Sequence, residues 1–363
     1  MQIDQELLDD PYWAETDPAK MHLVQLSQPL SPELNPFAYS GIVFRAAGVP
    51  GSDSEHEEII RHSKSIIGRA GIYHCIRTDR IHRKDPATGR PTQVVEATSA
   101  NTGQSMARTC QSLGIPFLAI VKADTPPTKI NEMKRIGNLV KVEKHYDLSE
   151  TTVQKARRLG TQPGYCNPDQ YGGDWNWICQ RDYLAPQLFD QAIRAFGEEP
   201  SFLFVPAGTM GTSIGNEKHV QAKGLSTTVV PVMCGPKQEV PGARTRASIE
   251  LDILFDWRSL FGERIEYGPR YESFLLSYLS WPALPYPLGP SFGLGFYGAL
   301  SFLRRHQRGG TLDQFRKKNG EISVVLFGPD GNTLYNHLYP SVLLYEDYAQ
   351  RTPIDLEKLF APK

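Results

Sequence analysis

Three segments of the 363-residue sequence share a design that suits anion binding. In each, glycine and hydroxyl residues precede a helical pattern, and in the first two a buried-strand pattern comes just before them. Such a turn exposes main-chain N–H groups at a helix N-terminus, whose partial positive charge attracts phosphate or carboxylate. One such turn is often only a helix cap, whereas two in one chain predict a ligand, or a ligand pair, with two anionic ends. The segments are residues 98–103 (TSANTG), 208–212 (GTMGT) and 289–293 (GPSFG).

A phosphorylated cofactor together with the carboxylate of an amino acid would supply the two anionic ends. Nucleoside triphosphates and nicotinamide dinucleotides are disfavoured, because the sequence has neither GxxxxGK[ST] nor a strand-adjacent GxGxxG. The formal net charge of −1 argues against a nucleic-acid partner. No metal site is expected, since the cysteines form no CxxC pair and the histidines no HxH or HxxxH pair.

The elements that must position these turns follow a repeated rhythm of strand, turn and helix. Helical patterns stop at Gly114 and Gly137, and the second places Ile130, Met133 and Ile136 on one face. The rhythm predicts an α/β chain with mostly parallel sheets. The 31 glycines and 28 prolines exceed average usage, and we expect the excess in loops. Buried strands are predicted within 94–95, 117–121, 139–142, 202–205, 227–232 and 322–327.

Several features predict a soluble protein in a reducing, cytoplasmic setting. The acidic N-terminus lacks the apolar core of a signal peptide, and no apolar stretch reaches the length of a membrane span. Five scattered cysteines do not suggest a disulfide framework. No membrane partner is therefore expected.

Four segments, in order along residues 20–340, resemble motifs of the cysteine synthase family of fold-type II enzymes, which depend on pyridoxal phosphate. The segment TSANTG at 98–103 resembles the family's T-S-G-N-T-G loop, and FVPAGTMGTSIG is similar to the phosphate-binding G-T-G-G-T turn. LFGPDGNTLY resembles the C-terminal P-[SD]-x-G-[ED]-R-Y segment. CNPDQYGGDWNW is similar to a segment of one branch, the N-(2-amino-2-carboxyethyl)-L-glutamate synthases, which make diaminopropionate precursors for siderophores.

The resemblance implies a tryptophan synthase β-like fold of two α/β lobes, with pyridoxal 5′-phosphate in the cleft between them. The small mobile lobe would cover residues 75–170, and the large cofactor-binding lobe would combine 1–74 with 171–363. Closure of the small lobe would exclude water from the cleft. Members of the family are typically homodimers, so a homodimer is expected.

Lys64 is the residue that best fits the family's Schiff-base lysine. The family's S-x-K-D-R motif is absent, and HSKS at 62–65, before an apolar helix, is the best match by position. An ordinary solvated lysine is the alternative from the residues alone. As a catalytic residue Lys64 would hold the cofactor and then act as the base for Cα–H abstraction.

The remaining roles are likewise implied by the resemblance. Residues 98–102 form what we term the carboxylate loop, and residues 208–212 the phosphate turn. Within the phosphate turn, Met210 can donate its N–H provided that its φ stays negative. Cofactor contacts are expected from Asn101, Gly208, Thr209, Met210, Gly211, Thr212 and Asp330, and substrate-carboxylate contacts from Thr98, Ser99, Ala100, Thr102 and Gln170.

Three departures from the family pattern leave alternatives open. Ala100 replaces a glycine, and Asp330 stands where a serine or an aspartate-like partner of the pyridine nitrogen occurs. Arg244 and Arg246 either bind a second anionic group or are surface charges.

The leading functional prediction is β-replacement on an activated serine-type amino acid through an aminoacrylate, in amino-acid or specialised-metabolite biosynthesis. The alternatives are β-elimination, deamination or γ-replacement, and a non-catalytic subunit of the same fold. The nucleophile, the leaving group and the pathway do not follow from the sequence.

Overall fold

A computed structural model describes residues 22–25, 41–48, 64–98, 101–284, 288–328 and 338–339. Ten strands in this part of the chain form two sheets. Apolar residues fill the central strands, which are covered on both faces, as buried parallel strands require. The strands are β1 His22–Gln25, β2 Ile42–Gly48, β3 Gln93–Ala97, β4 Phe117–Lys122, β5 Val140–His145, β6 Tyr165–Cys166, β7 Phe202–Pro206, β8 Thr228–Cys234, β9 Glu266–Gly268 and β10 Ile322–Gly328.

The larger sheet has six strands in the order β1-β2-β10-β7-β8-β9, and the smaller has four in the order β5-β4-β3-β6. Every pairing is parallel except that of β1 with β2. The α/β class with mostly parallel sheets is therefore confirmed. All strands of the smaller sheet fall between residues 93 and 166. The exact lobe boundaries at 74/75 and 170/171 stay a prediction, and the first lies inside a helix.

Helices cover both sheets, and one core cluster continues from the larger sheet into the smaller one. A second cluster lies between the larger sheet and the helices Arg270–Ser280 and Pro290–Arg308. The helices are α1 Lys64–Arg77, α2 Asn101–Leu113, α3 Pro127–Arg135, α4 Thr152–Gly160, α5 Trp175–Cys179, α6 Ala185–Phe196, α7 Gly211–Lys223, α8 Arg246–Asp252, α9 Trp257–Phe261, α10 Arg270–Ser280 and α11 Pro290–Arg308. A π-helical turn, Gln180–Leu184, joins α5 to α6.

The glycines are not confined to loops, which corrects the sequence-based expectation. An ideal Cβ on Gly68 of α1 would lie 2.5 Å from Ser105 Oγ, and one on Gly71 would lie 2.8 Å from the Trp175 ring. On α11, a Cβ on Gly293 would collide with the main chain of α10. These glycines let helices approach more closely than any side chain would allow, so part of the glycine excess serves helix packing.

Within the described residues, no helix combines the length and apolar character that crossing a bilayer needs. All five cysteines are free thiols in buried positions.

Candidate active site

A cleft of about 650 Å³ lies where the carboxyl ends of strands from both sheets meet. Residues that follow β3, β4 and β5 line one wall, and residues that follow β7 and β8 line the other. Ligands of open α/β sheets bind at this end of the strands. The cleft thus lies where the sequence analysis expected its ligand.

Lys64 lines this cleft as the first residue of α1. An ideal Cβ on Gly208 would lie 3.6 Å from Lys64 Nζ, so the amine lies directly over the phosphate turn. The close contact of Gly68 with Ser105 holds α1 against α2, the helix that begins at Asn101. Packing therefore brings the lysine and the carboxylate loop to one site.

The carboxylate loop is described at Thr98, Asn101 and Thr102, and all three line the cleft. Thr98 Oγ1 accepts a hydrogen bond from Gly103 N at 3.0 Å, which fixes the loop to the start of α2. Ser99 and Ala100 lie outside the described residues.

Gln170 also lines the cleft, although its sequence position is 68 residues from Thr102. Its Nε2 donates to the main-chain oxygen of Ala97 at 2.8 Å, just before the carboxylate loop. The expected substrate-binding residues within the described chain are therefore neighbours in space.

Glu96 is a buried carboxyl group that the sequence analysis did not assign. Its Oε1 accepts from Ala97 N at 3.0 Å and its Oε2 from Gln170 N at 3.3 Å, so it links the strand before the carboxylate loop to the segment that contains Gln170. Burial, followed by the charge of Asp169, raises the pKa of Glu96 well above its ordinary value. The sequence signal for this buried carboxyl group was a glutamate within the strand QVVEA, next to apolar residues.

In the phosphate turn, Gly208 and Thr209 line the cleft and the following residues begin α7. The condition that Met210 keep a negative φ is wrong: its φ is 64° and its ψ −9°, in the left-handed region. The turn must reverse direction there to enter α7, and the buried Met210 side chain offsets the steric cost. Its carbonyl still accepts from Ile214 N at 2.9 Å, as a helix start requires.

The donors of the phosphate turn fit the phosphate of pyridoxal phosphate. The first turn of α7 contains no acidic residue, and Gly211 N points toward Thr209 Oγ1 at 3.4 Å, a weak hydrogen bond. The buried Ser213 Oγ, in the same first turn, has no hydrogen-bond partner within the described residues. An anion at this helix N-terminus would meet polar donors and no opposing carboxylate.

The third glycine segment, 289–293, does not line the cleft in the described part of the chain. Gly289 precedes α11, and the hydroxyl of the fully buried Ser291 has no partner among the described residues. Asp330 lies outside the described residues, so its predicted contact with the pyridine nitrogen stays a prediction.

The two candidate arginines differ in their surroundings. Arg244 lines the cleft, donates to Asp252 Oδ2 at 2.6 Å and lies 4.4 Å above the Tyr171 ring. Arg246 is an exposed partner of Glu250, at 2.8 Å, and is not part of the described cleft wall. Of the two alternatives left open by the sequence, Arg246 is therefore a surface charge.

Comparison with known proteins identifies the family. The model of the pyridoxal-phosphate dependent enzyme family matches residues 69–251, half of the chain. This chain belongs to that family. It is an enzyme that depends on pyridoxal phosphate, and the resemblance deduced from its motifs is confirmed. Lys64 lies just before the matched residues and Asp330 beyond them.

A curated relative and two solved structures agree with this assignment. The N-(2-amino-2-carboxyethyl)-L-glutamate synthase of Ralstonia nicotianae is 24% identical over 146 residues, 39% of this chain and 42% of the relative, so the match spans less than half of the relative's length. A hydrogen sulfide-producing enzyme of Fusobacterium nucleatum aligns with a TM-score of 0.66 at 17% identity, over 87% of this chain and 94% of its own. The O-acetylserine dependent cystathionine β-synthase of Helicobacter pylori gives 0.64 at 18% identity, over 93% and 98%. Both structures share the two-lobed fold.

Proposed function

We propose that the enzyme catalyses β-replacement on an activated serine-type amino acid. One observation carries the proposal: a single cleft brings the Lys64 amine, the phosphate turn and the carboxylate loop together. In the proposal they would serve as an amine for the cofactor, an anion site for its phosphate and a second anion site for the substrate carboxylate. The Ralstonia and Helicobacter relatives are named as synthases of β-substituted amino acids, which supports the same reaction class.

Pyridoxal phosphate supplies a carbonyl carbon for amines and an electron sink next to the substrate Cα. Main-chain N–H groups at the start of α7 and the Thr209 hydroxyl would hold its phosphate. Lys64 Nζ would bind the cofactor and afterwards take the proton from the substrate Cα. Thr98, Thr102 and Gln170 would orient the substrate carboxylate, and Asn101 would face the ring hydroxyl.

For the second substrate we propose a nucleophile that carries a carboxylate. Lys129 and Arg270 both line the cleft, and either cation can attract such a group. The name of the Ralstonia relative contains a glutamate unit, which fits a nucleophile of this class.

Borohydride reduction tests the role of Lys64. Reduction of the purified enzyme and peptide mapping should place one pyridoxyl adduct on Lys64, and Lys64→Ala should lose the visible absorbance of the bound cofactor. Lys129→Ala, which removes another cleft lysine, should keep both signals. An adduct on a different lysine would refute the assignment.

Substrate incubation tests the reaction class. O-Acetylserine and O-phosphoserine are each incubated with sulfide, cysteine, glutamate or no nucleophile, and the products are weighed by mass spectrometry. β-Replacement predicts a new β-substituted amino acid only when a nucleophile is present. Pyruvate and ammonia as the main products in every incubation would instead indicate β-elimination, and the proposal would fail.

We also propose that the enzyme is a homodimer, as its family resemblance implies, and that it is cytoplasmic, as its scattered cysteines suggest. Size-exclusion chromatography with light scattering would give the mass of the particle. A monomeric mass would contradict the proposed assembly.

A further inference from the structure

Asn176 connects two parts of the cleft that are far apart in the sequence. It is fully buried in α5, between Gln170 and the phosphate turn. It belongs to the segment CNPDQYGGDWNW, and no role was predicted for it from the sequence. Its surroundings show what the side chain does.

Both hydrogens of the Asn176 amide are engaged. Nδ2 donates to the main-chain oxygen of Gln170 at 2.6 Å and to Thr209 Oγ1 at 3.0 Å. A carbonyl oxygen can only accept, so the Gln170 contact fixes which end of the amide carries the nitrogen. The reversed orientation would place two oxygens against each other.

This arrangement decides the direction of the Thr209 hydroxyl. Thr209 Oγ1 already accepts from Asn176 and, more weakly, from Gly211 N at 3.4 Å. Its own hydrogen is then available for an acceptor on the open side, and Thr209 lines the cleft. Asn176 thereby makes the hydroxyl a donor toward the cleft.

The space for Asn176 depends on Gly211. An ideal Cβ on Gly211 would lie 2.2 Å from Asn176 Oδ1, so the amide lies directly against the first residue of α7. Oδ1 has no hydrogen-bond partner within the described residues. Burying an oxygen without a hydrogen-bond partner costs free energy. The two hydrogen bonds of the amide nitrogen therefore explain why the side chain lies here.

We propose that Asn176 is a positioning residue for the cofactor phosphate: it holds the Thr209 hydroxyl as a donor to the phosphate and ties it to the Gln170 main chain. The inference rests on the proposed function, because it requires a phosphate in the turn. It goes further in joining the phosphate site and the substrate-carboxylate site through one side chain.

Cofactor binding to the 363-residue chain, after its cofactor has been removed, tests this role. In Asn176→Asp the carboxylate cannot donate to Thr209 and accepts its hydrogen instead, so the phosphate loses a donor. We expect the dissociation constant for pyridoxal 5′-phosphate to rise by about tenfold or more, and that for pyridoxal, which lacks the phosphate, by less than about threefold. Thr209→Val should show the same selective loss, and the double variant no further loss.

Asn167→Asp is the matched control. Asn167 is also a buried amide, it donates to the main-chain oxygen of Val95 at 2.7 Å, and it does not line the cleft. This variant should keep the wild-type ratio of the two dissociation constants. Asn176→Ser, which is uncharged and too short to reach both partners, should repeat the selective loss if the aspartate variant does not fold.

Either of two results in the variants would overturn the inference alone: equal weakening of both ligands by Asn176→Asp and Asn176→Ser, which indicates a merely structural role, or losses that add in the double variant. A wild-type chain that binds pyridoxal 5′-phosphate no more tightly than pyridoxal would also refute it. A wild-type chain that binds neither ligand would overturn the proposed function and this inference together.

Discussion

Met210 shows how a single residue can carry opposing contributions to stability. Its left-handed backbone costs an L-amino acid about 1 kcal/mol relative to glycine, whereas truncation of a buried methionine costs about 2–5 kcal/mol. Packing therefore outweighs backbone strain at this position, and methionine can replace the glycine of the family's motif.

This balance gives a paired prediction. Met210→Ala should destabilise the protein by about 2–5 kcal/mol, because it loses the buried side chain and keeps the strain. Met210→Gly should be more stable than Met210→Ala by about 1 kcal/mol, although glycine is the smaller residue. Urea unfolding followed by tryptophan fluorescence measures both. An alanine variant at least as stable as the glycine variant would show that the backbone at 210 is not left-handed.

Glu96 should make stability depend on pH. The pKa of Glu96 in the folded state lies above its ordinary value, so the folded state binds more protons than the unfolded state between the two values. The stability that Glu96 contributes is present below about pH 4.5 and is lost as the pH rises toward the raised pKa. The expected slope is at most about 1.4 kcal/mol per pH unit.

Glu96→Gln removes the titrating group, so its stability relative to wild type should rise as the pH increases from 5 toward the raised pKa. Denaturant midpoints at each pH measure the difference. Glu263→Gln, which changes an exposed carboxylate, serves as the control and should follow the wild-type curve. A wild-type and Glu96→Gln difference that is constant over this range would mean that Glu96 is not the titrating group.

At the scale of elements, the strands were predictable and the helix contacts were not. Runs such as 117–121 and 202–205 are short and apolar throughout, which is typical of a strand buried on both faces, and both are strands in the structure. The helix from 129 was predicted to end at Gly137 and ends at Arg135, with Ile130 and Met133 buried as expected. Local pattern was sufficient in these cases.

The site residues that sequence reasoning missed depend on contacts between distant segments. Asn176 acquires its role from Thr209 and Gln170, and Glu96 from a main-chain N–H that lies 74 residues further along the chain. Spacing cannot reveal such partners, because they are set by how two sheets and their helices pack. The carboxylate loop and the phosphate turn could be predicted because their chemistry is contained in a few consecutive residues.

At the scale of the whole molecule, an ion pair crosses the mouth of the cleft. Lys122 Nζ, at the end of β4 in the smaller sheet, lies 3.1 Å from Glu239 Oε2, in the segment after β8 of the larger sheet. Both side chains are about half exposed, so the pair contributes at most about 1 kcal/mol. That is little for the stability of the fold but enough to shift the expected equilibrium between open and closed lobes by about fivefold or less.

We therefore expect Glu239→Gln to leave the free energy of unfolding within about 1 kcal/mol of wild type and to raise the KM of the amino-acid substrate by about twofold. The wild-type KM should rise between low and high NaCl as the pair is screened, and the variant should lack this rise. Glu143→Gln is the control. It breaks the ion pair with Lys155, which joins β5 to α4 and does not cross the cleft, so this variant should keep the wild-type salt dependence. An unchanged KM and an unchanged salt response in Glu239→Gln would show that the pair does not influence closure.

The glycine contacts also have a practical consequence for anyone who wishes to redesign this enzyme. Contacts at Gly68, Gly71, Gly211 and Gly215 lock α1, α2, α5, α7 and the turn after α5 into one block that carries the lysine and the phosphate turn. Any mutagenesis library that diversifies these positions will mostly return unfolded protein. Leu148 and Leu251 line the cleft with exposed side chains, so diversity introduced there can explore new substrates while the block that carries Lys64 and the phosphate turn is inherited unchanged.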